Sequence, residues 1–96
     1  MQSFVRSEFV VSRVIAGETL IIPIRKGVGD LASIYSLNEV GSVIWEALKT
    51  ASSRREIVDA VEEKFSVDRT QIERDVEEFL SEMGVAGLIV AAGVAA

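Results

Sequence analysis

The chain has 96 residues, 49% of them hydrophobic, one Pro and a formal net charge of −5. A chain of that length is expected to form one domain around one apolar core, burying roughly two-thirds of its unfolded surface, and its composition excludes a disordered or fibrous protein. Neither Cys nor His occurs, which excludes disulfides, thiolate chemistry, Cys/His zinc sites and every nucleophile or base arrangement that needs those side chains.

Phe9 to Ile15 and Thr19 to Ile24 are rich in β-branched residues and are separated by Ala16-Gly17-Glu18, the composition of a short hairpin connection. Two antiparallel strands are expected there. Pro23 has no backbone donor to offer, which favours an edge or a strand end at that point. Lys26 to Asp30 punctuates the chain with two glycines, and Leu31 to Leu37 then reads as a third strand, giving a meander. Asn38 is a good helix N-cap, and Val40, Val43, Ile44 and Leu48 recur at helical spacing with Trp45 beside them, predicting a first helix from Glu39 to Lys49. Ser52 or Ser53 caps a second helix, with Glu56 placed for a capping box from Ser53 and an apolar stripe of Ile57, Val58, Val61 and Phe65. Asp68 is read as the cap of a third, in which Ile72, Val76, Phe79, Leu80 and Met83 share one face. Gly84 and Gly87 are stop signals, and Leu88 to Ala92 is left open between a strand, a wing-like return and an apolar tail. The fold class is therefore α+β, a three-stranded antiparallel meander followed by three helices in one domain.

Several motifs are weighed against plainer readings. Gly27-Val28-Gly29-Asp30-Leu31-Ala32 matches G-x-G-x-x-A after a strand, but the β-type sequence that follows supplies no helix N-terminus for a phosphate, and a turn is the better reading. Three helices and a β-ribbon suit a winged helix-turn-helix, yet Asp68, Glu73, Asp75, Glu77, Glu78 and Glu82 against Arg69 and Arg74 would repel phosphate. Nucleic acid is not an expected partner. Trp45 reads as core and Arg54-Arg55 as a solvated pair. The longest apolar run, Val85 to Ala96, falls short of the about twenty residues of a membrane span, and no charged N-terminal region precedes an apolar stretch. No membrane partner, no cofactor, no metal and no enzymatic activity are expected, and the cytoplasm is the default location.

Tyr35-Ser36-Leu37-Asn38-Glu39-Val40-Gly41 followed by Ile44-Trp45-Glu46 resembles the "Y-x-L-N-x-x-G-x-x-I-W" signature of PqqD-like proteins. Glu56-Ile57-Val58 with Phe65, Asp75-Val76 with Phe79-Leu80, and Gly87-Leu88-Ile89 follow in that family's order, so the resemblance covers roughly Phe9 to Val90. It implies a winged-helix-like domain that recognises the leader segment of a ribosomally made precursor peptide. The leader adds as a strand to the edge of the third strand and lies in the groove beside the third helix, while a separate modifying enzyme, often a radical-SAM enzyme, acts on the tethered core. The resemblance leaves open whether the pathway makes the quinone cofactor PQQ or another modified peptide, and it implies no catalytic residue.

Elementary physics agrees with such a site, because the last strand of a meander carries an unpaired row of N–H and C=O groups that an extended peptide satisfies by β-augmentation. The expected edge is Ala32, Ser33, Ile34, Tyr35, Ser36 and Leu37, with apolar pockets from Ile72, Val76 and Phe79 and with Arg69 and Asp75 as partners for peptide charges. Two rivals stand beside this reading: an acidic winged-helix module that binds another protein or forms a homodimer through the free edge, and a weak DNA binder.

Overall fold

A computed structural model describes residues 2–25, 28–29 and 34–92. The chain opens with β1 (Ser3–Arg6), then runs through β2 (Val10–Ile15) and β3 (Glu18–Arg25). Ala16 and Gly17 both take positive φ, 53° and 82°, the two-residue turn whose twist matches an antiparallel pair. Glu18 therefore belongs to the strand and not to the connection. β2 and β3 pair from Val10 opposite Pro23 to Ile15 opposite Glu18.

The other side of β3 takes two short strands. β4 (Val28–Gly29) pairs Arg25 and Ile24, and β5 (Tyr35–Leu37) pairs Ile21, Leu20 and Thr19. Of the expected third strand, Leu31 to Ser33 lie outside the described residues, Ile34 precedes the strand and pairing starts at Tyr35. Of the Gly27–Ala32 loop, only Val28 and Gly29 are described, as β4. The expectation that Pro23 marks an edge or strand end is corrected, since β3 is the central strand and continues through Pro23 to Arg25. The Ile24 N–H donates to Phe9 C=O at 2.8 Å. Successive residues bond to opposite sides, so the missing donor of Pro23 faces away from β2, at a position between the stretches paired to β4 and β5.

Three helices follow. α1 (Glu39–Ala47) is capped by the Asn38 side chain, which accepts from Gly41 N–H at 2.8 Å, and it ends two residues before the expected Lys49, where the last turn tightens and Leu48 and Lys49 N–H donate to Trp45 and Glu46 C=O, both at 3.2 Å. The Ser53 capping box starts α2 (Arg54–Lys64) as expected: Ser53 Oγ accepts from Glu56 N–H at 3.2 Å, and Ser53 N–H donates to Glu56 Oε1 at 2.8 Å. Asp68 holds the N-cap position of α3 (Arg69–Val85), but its side chain makes no capping bond. Gly84 does not stop that helix. Its end is made by Gly87 at φ 78°, where Leu88 N–H reaches Met83 C=O and Gly87 N–H reaches Gly84 C=O, the left-handed cap in which glycine avoids a Cβ penalty.

A second sheet was not foreseen from the sequence. β1 lies between β6 (Ser52–Ser53) and β7 (Ile89–Ala92), antiparallel to both, which settles Leu88 to Ala92 largely as a strand. It ties the chain's beginning to the α1–α2 connection and to the segment after α3. Between the sheets and helices Ile21, Trp45, Leu48, Ile57, Ile72 and Val76 are buried to 2% exposure or less. At about 25 cal/mol per Å² of apolar area, that core is the main stabilising term.

Candidate functional site

The direction of each backbone group on β5 follows from the pairing. Because Ile24 bonds toward β2, the even residues of β3 face β2 while Thr19 and Ile21 face β5. Their opposite numbers, Leu37 and Tyr35, form hydrogen-bonded pairs with them. Ser36 lies opposite Leu20, so its N–H and C=O point away from β3 to the outer edge of β5. No described strand pairs with that edge. It is an open template for one more extended chain.

Side chains on β5 alternate as the pleat requires. Leu37 is buried and Tyr35 packs half-buried against the core. Ser36 and Ile34 are exposed, and the Ser36 hydroxyl donates to Glu18 on the outer face.

Where β5 ends, a groove of about 280 Å³ runs between the first turns of α1 and the middle of α3, lined by Asn38, Val40, Gly41 and Ile44 on one wall and Asp75, Glu78, Phe79 and Glu82 on the other. Gly41 lets these walls approach. A Cβ at that position would lie 3.2 Å from Asn38 Oδ1, 3.3 Å from Leu37 Cβ and 3.5 Å from Phe79 Cε2. Phe79 is half-buried and offers its remaining ring surface to the groove.

The candidate residues divide accordingly. Ile34, Tyr35, Ser36 and Leu37 form the described edge, and Asp75 and Phe79 lie on the groove wall; Ala32 and Ser33 fall outside the described residues. Ile72 and Val76 are core residues at 2% and 1% exposure, so Phe79 alone of the three provides groove surface. Arg69 is drawn to the other side of α3. It donates to Asp59 at 3.0 Å and Glu62 at 2.9 Å on α2, and the Asp59 bond holds its guanidinium above its usual pKa. It lines a separate cavity between α2 and α3 with Arg54, Arg55 and Glu73. Asn38, Val40, Gly41, Ile44, Glu78 and Glu82 were missed as groove residues, because capping and helical periodicity explain them equally well.

The exposed surface of α3 is acidic along the groove, as its sequence implies. Retention on duplex DNA at low salt is expected to be negligible; tight binding that falls steeply with added salt would contradict this. Among the described residues no helix is long and apolar enough to cross a membrane, and no three acidic side chains converge as metal ligands would.

A meander whose last described strand has an open edge, three helices and a groove beside the third define a winged-helix-like α+β domain. Comparison with known families and structures makes this specific. The family described as Coenzyme PQQ synthesis protein D (PqqD) matches residues 20–89, and the chain belongs to that family. The solved structure "TbiB1 in Complex with the TbiA(beta) Leader Peptide" is 34% identical with a TM-score of 0.75, covering 96% of this chain and 99% of that one. "Lasso peptide synthetase B1 complexed with the leader peptide" shares the fold at a TM-score of 0.73 and 17% identity, covering 91% of this chain and 96% of that one. A search of curated proteins found no match.

Proposed function

We propose that this protein binds the leader segment of a ribosomally made precursor peptide as an added strand on the open edge of β5, and presents the peptide to a separate modifying enzyme. The observation that carries the reading is the outward-facing N–H and C=O of Ser36 on β5, whose last residue leads through Asn38 into the groove walled by Phe79 and Gly41. Family membership supports it, as does the leader peptide bound by the 34% identical TbiB1. In this reading the chain is a binding partner and not the catalyst, and Ala32 and Ser33 are proposed as further contacts for the leader. A radical-SAM enzyme is the consumer that the PqqD relationship suggests, and co-purification of this protein with radical-SAM enzymes of its host tests it.

Strand addition makes a periodic prediction. In a fluorescein-labelled leader peptide that the protein binds, N-methylation at alternate residues is expected to weaken binding, since only every second N–H faces β5. Fluorescence anisotropy across a single-position N-methyl scan reads this directly. A flat profile, or loss confined to one contiguous helical stripe, would exclude an added strand.

A further inference from the structure

The two sides of α3 carry their acids differently. On the α2 side, Glu77 pairs with Arg54 at 2.7 Å and Glu73 with Arg69 at 3.8 Å. On the groove side, among the described residues, Glu78 and Glu82 have no cation within ion-pair distance, and Asp75 accepts from the Gln71 amide at 2.9 Å. Among the described residues no cation lines the groove. The groove is therefore an apolar seat, Phe79 with Val40, flanked along the helix by carboxylates that form no ion pair among the described residues.

We infer, building on the leader-binding reading above, that this groove selects leaders with the pattern basic–x–apolar–x–basic, the apolar side chain seated on Phe79 and the two Lys or Arg residues facing Asp75 on one side and Glu82 on the other, with Glu78 adding to the acidic field between them. The spacing follows from two repeats. Along α3, Asp75 lies about 6 Å and Glu82 about 4.5 Å from Phe79 at 1.5 Å per residue. In an extended peptide lying along that helix, side chains on one face recur about every 6.7 Å. Residues two before and two after the apolar anchor thus fall within reach of the flanking acids on long, flexible basic side chains.

The same carboxylates discriminate against other leaders. An acidic peptide meets like charge, and an apolar one desolvates carboxylates without pairing them; both are unfavourable. Selectivity thus comes from rejection as well as attraction.

A random peptide library displayed on its own mRNA and selected on the whole protein at low salt tests the proposal. Parallel selections use Ser36→Pro and the triple variant Asp75→Asn/Glu78→Gln/Glu82→Gln. The expected result is enrichment of basic–x–apolar–x–basic on the wild type, its loss on the triple variant, and no recovery of these peptides on Ser36→Pro. Each exposed pair lost corresponds to about a two- to five-fold rise in Kd, so individual selected peptides should bind the triple variant about ten-fold more weakly. Glu63→Gln, on the exposed side of α2, should change nothing. Peptides that depend on Ser36 but show no basic enrichment overturn the charge proposal and leave leader binding standing. Peptides indifferent to Ser36→Pro, or no selected peptides at all, overturn both.

Discussion

Trp45→Ala is expected to abolish most of the domain's stability. Trp45 is 2% exposed and is the largest fully buried side chain, and truncating a buried aromatic costs about 3–5 kcal/mol. Against a total of about 5–15 kcal/mol for a folded domain, that is a large share. The loss extends past the ring cavity. Arg6 donates to the Trp45 carbonyl through Nε at 3.0 Å and a terminal nitrogen at 2.7 Å, and its guanidinium sits 4.6 Å from the indole centroid. Arg6 is on β1, so this stacking helps hold the N-terminal strand to α1. The indole N–H has no acceptor among the described residues, and Trp45→Phe removes an unpaired buried donor that costs free energy to keep. The phenylalanine variant should therefore melt far closer to the wild type than the alanine variant. Urea denaturation followed by circular dichroism measures both. Retention of the wild-type midpoint by Trp45→Ala, with only peptide binding lost, would move Trp45 from the core to a site.

The features legible in the sequence were those set by near neighbours. Asn38 and Ser53 announce helix starts because their side chains bond amides three residues on, and the Val10–Ile15 and Glu18–Arg25 strands are recognisable from β-branched composition flanking Ala16-Gly17. The second sheet was not legible. β1 has four residues and no periodic signal, and its partners β6 and β7 lie far along the chain, so only tertiary pairing reveals it.

The groove was legible only in part, for a related reason. Ile72, Val76 and Phe79 occupy one helical stripe, and periodicity does not separate the two that reach the core from the one that stops at the surface. What separates them is the approach of α1 at Gly41. Likewise Arg69 carries a charge suited to a peptide, but Asp59 and Glu62 on α2 engage it. Its role depends on how α2 packs against α3, and no local motif encodes that.

Ser36→Pro is expected to fold and to lose peptide binding. The Ser36 N–H points to the outer edge of β5, so proline there removes no bond to β3, and an edge position whose N–H faces solvent is where a strand tolerates proline. Its side chain is exposed and its hydroxyl contact with Glu18 lies on the surface, so little packing is lost. A bound leader, in contrast, loses the donor that meets one of its carbonyls and leaves that carbonyl buried and unsatisfied. The penalty is about 1–3 kcal/mol, between about five-fold and more than a hundred-fold in Kd. Two controls separate the causes. Ser36→Ala removes the hydroxyl and keeps the N–H, and it should bind as the wild type does. Tyr35→Pro removes a donor that faces β3 and should lower the melting temperature instead. Anisotropy with a leader that the wild type binds, alongside thermal melts of all three variants, gives the comparison. Wild-type affinity in a folded Ser36→Pro variant would rule out strand addition at this edge, and the partner would then have to be sought on the acidic face of α3.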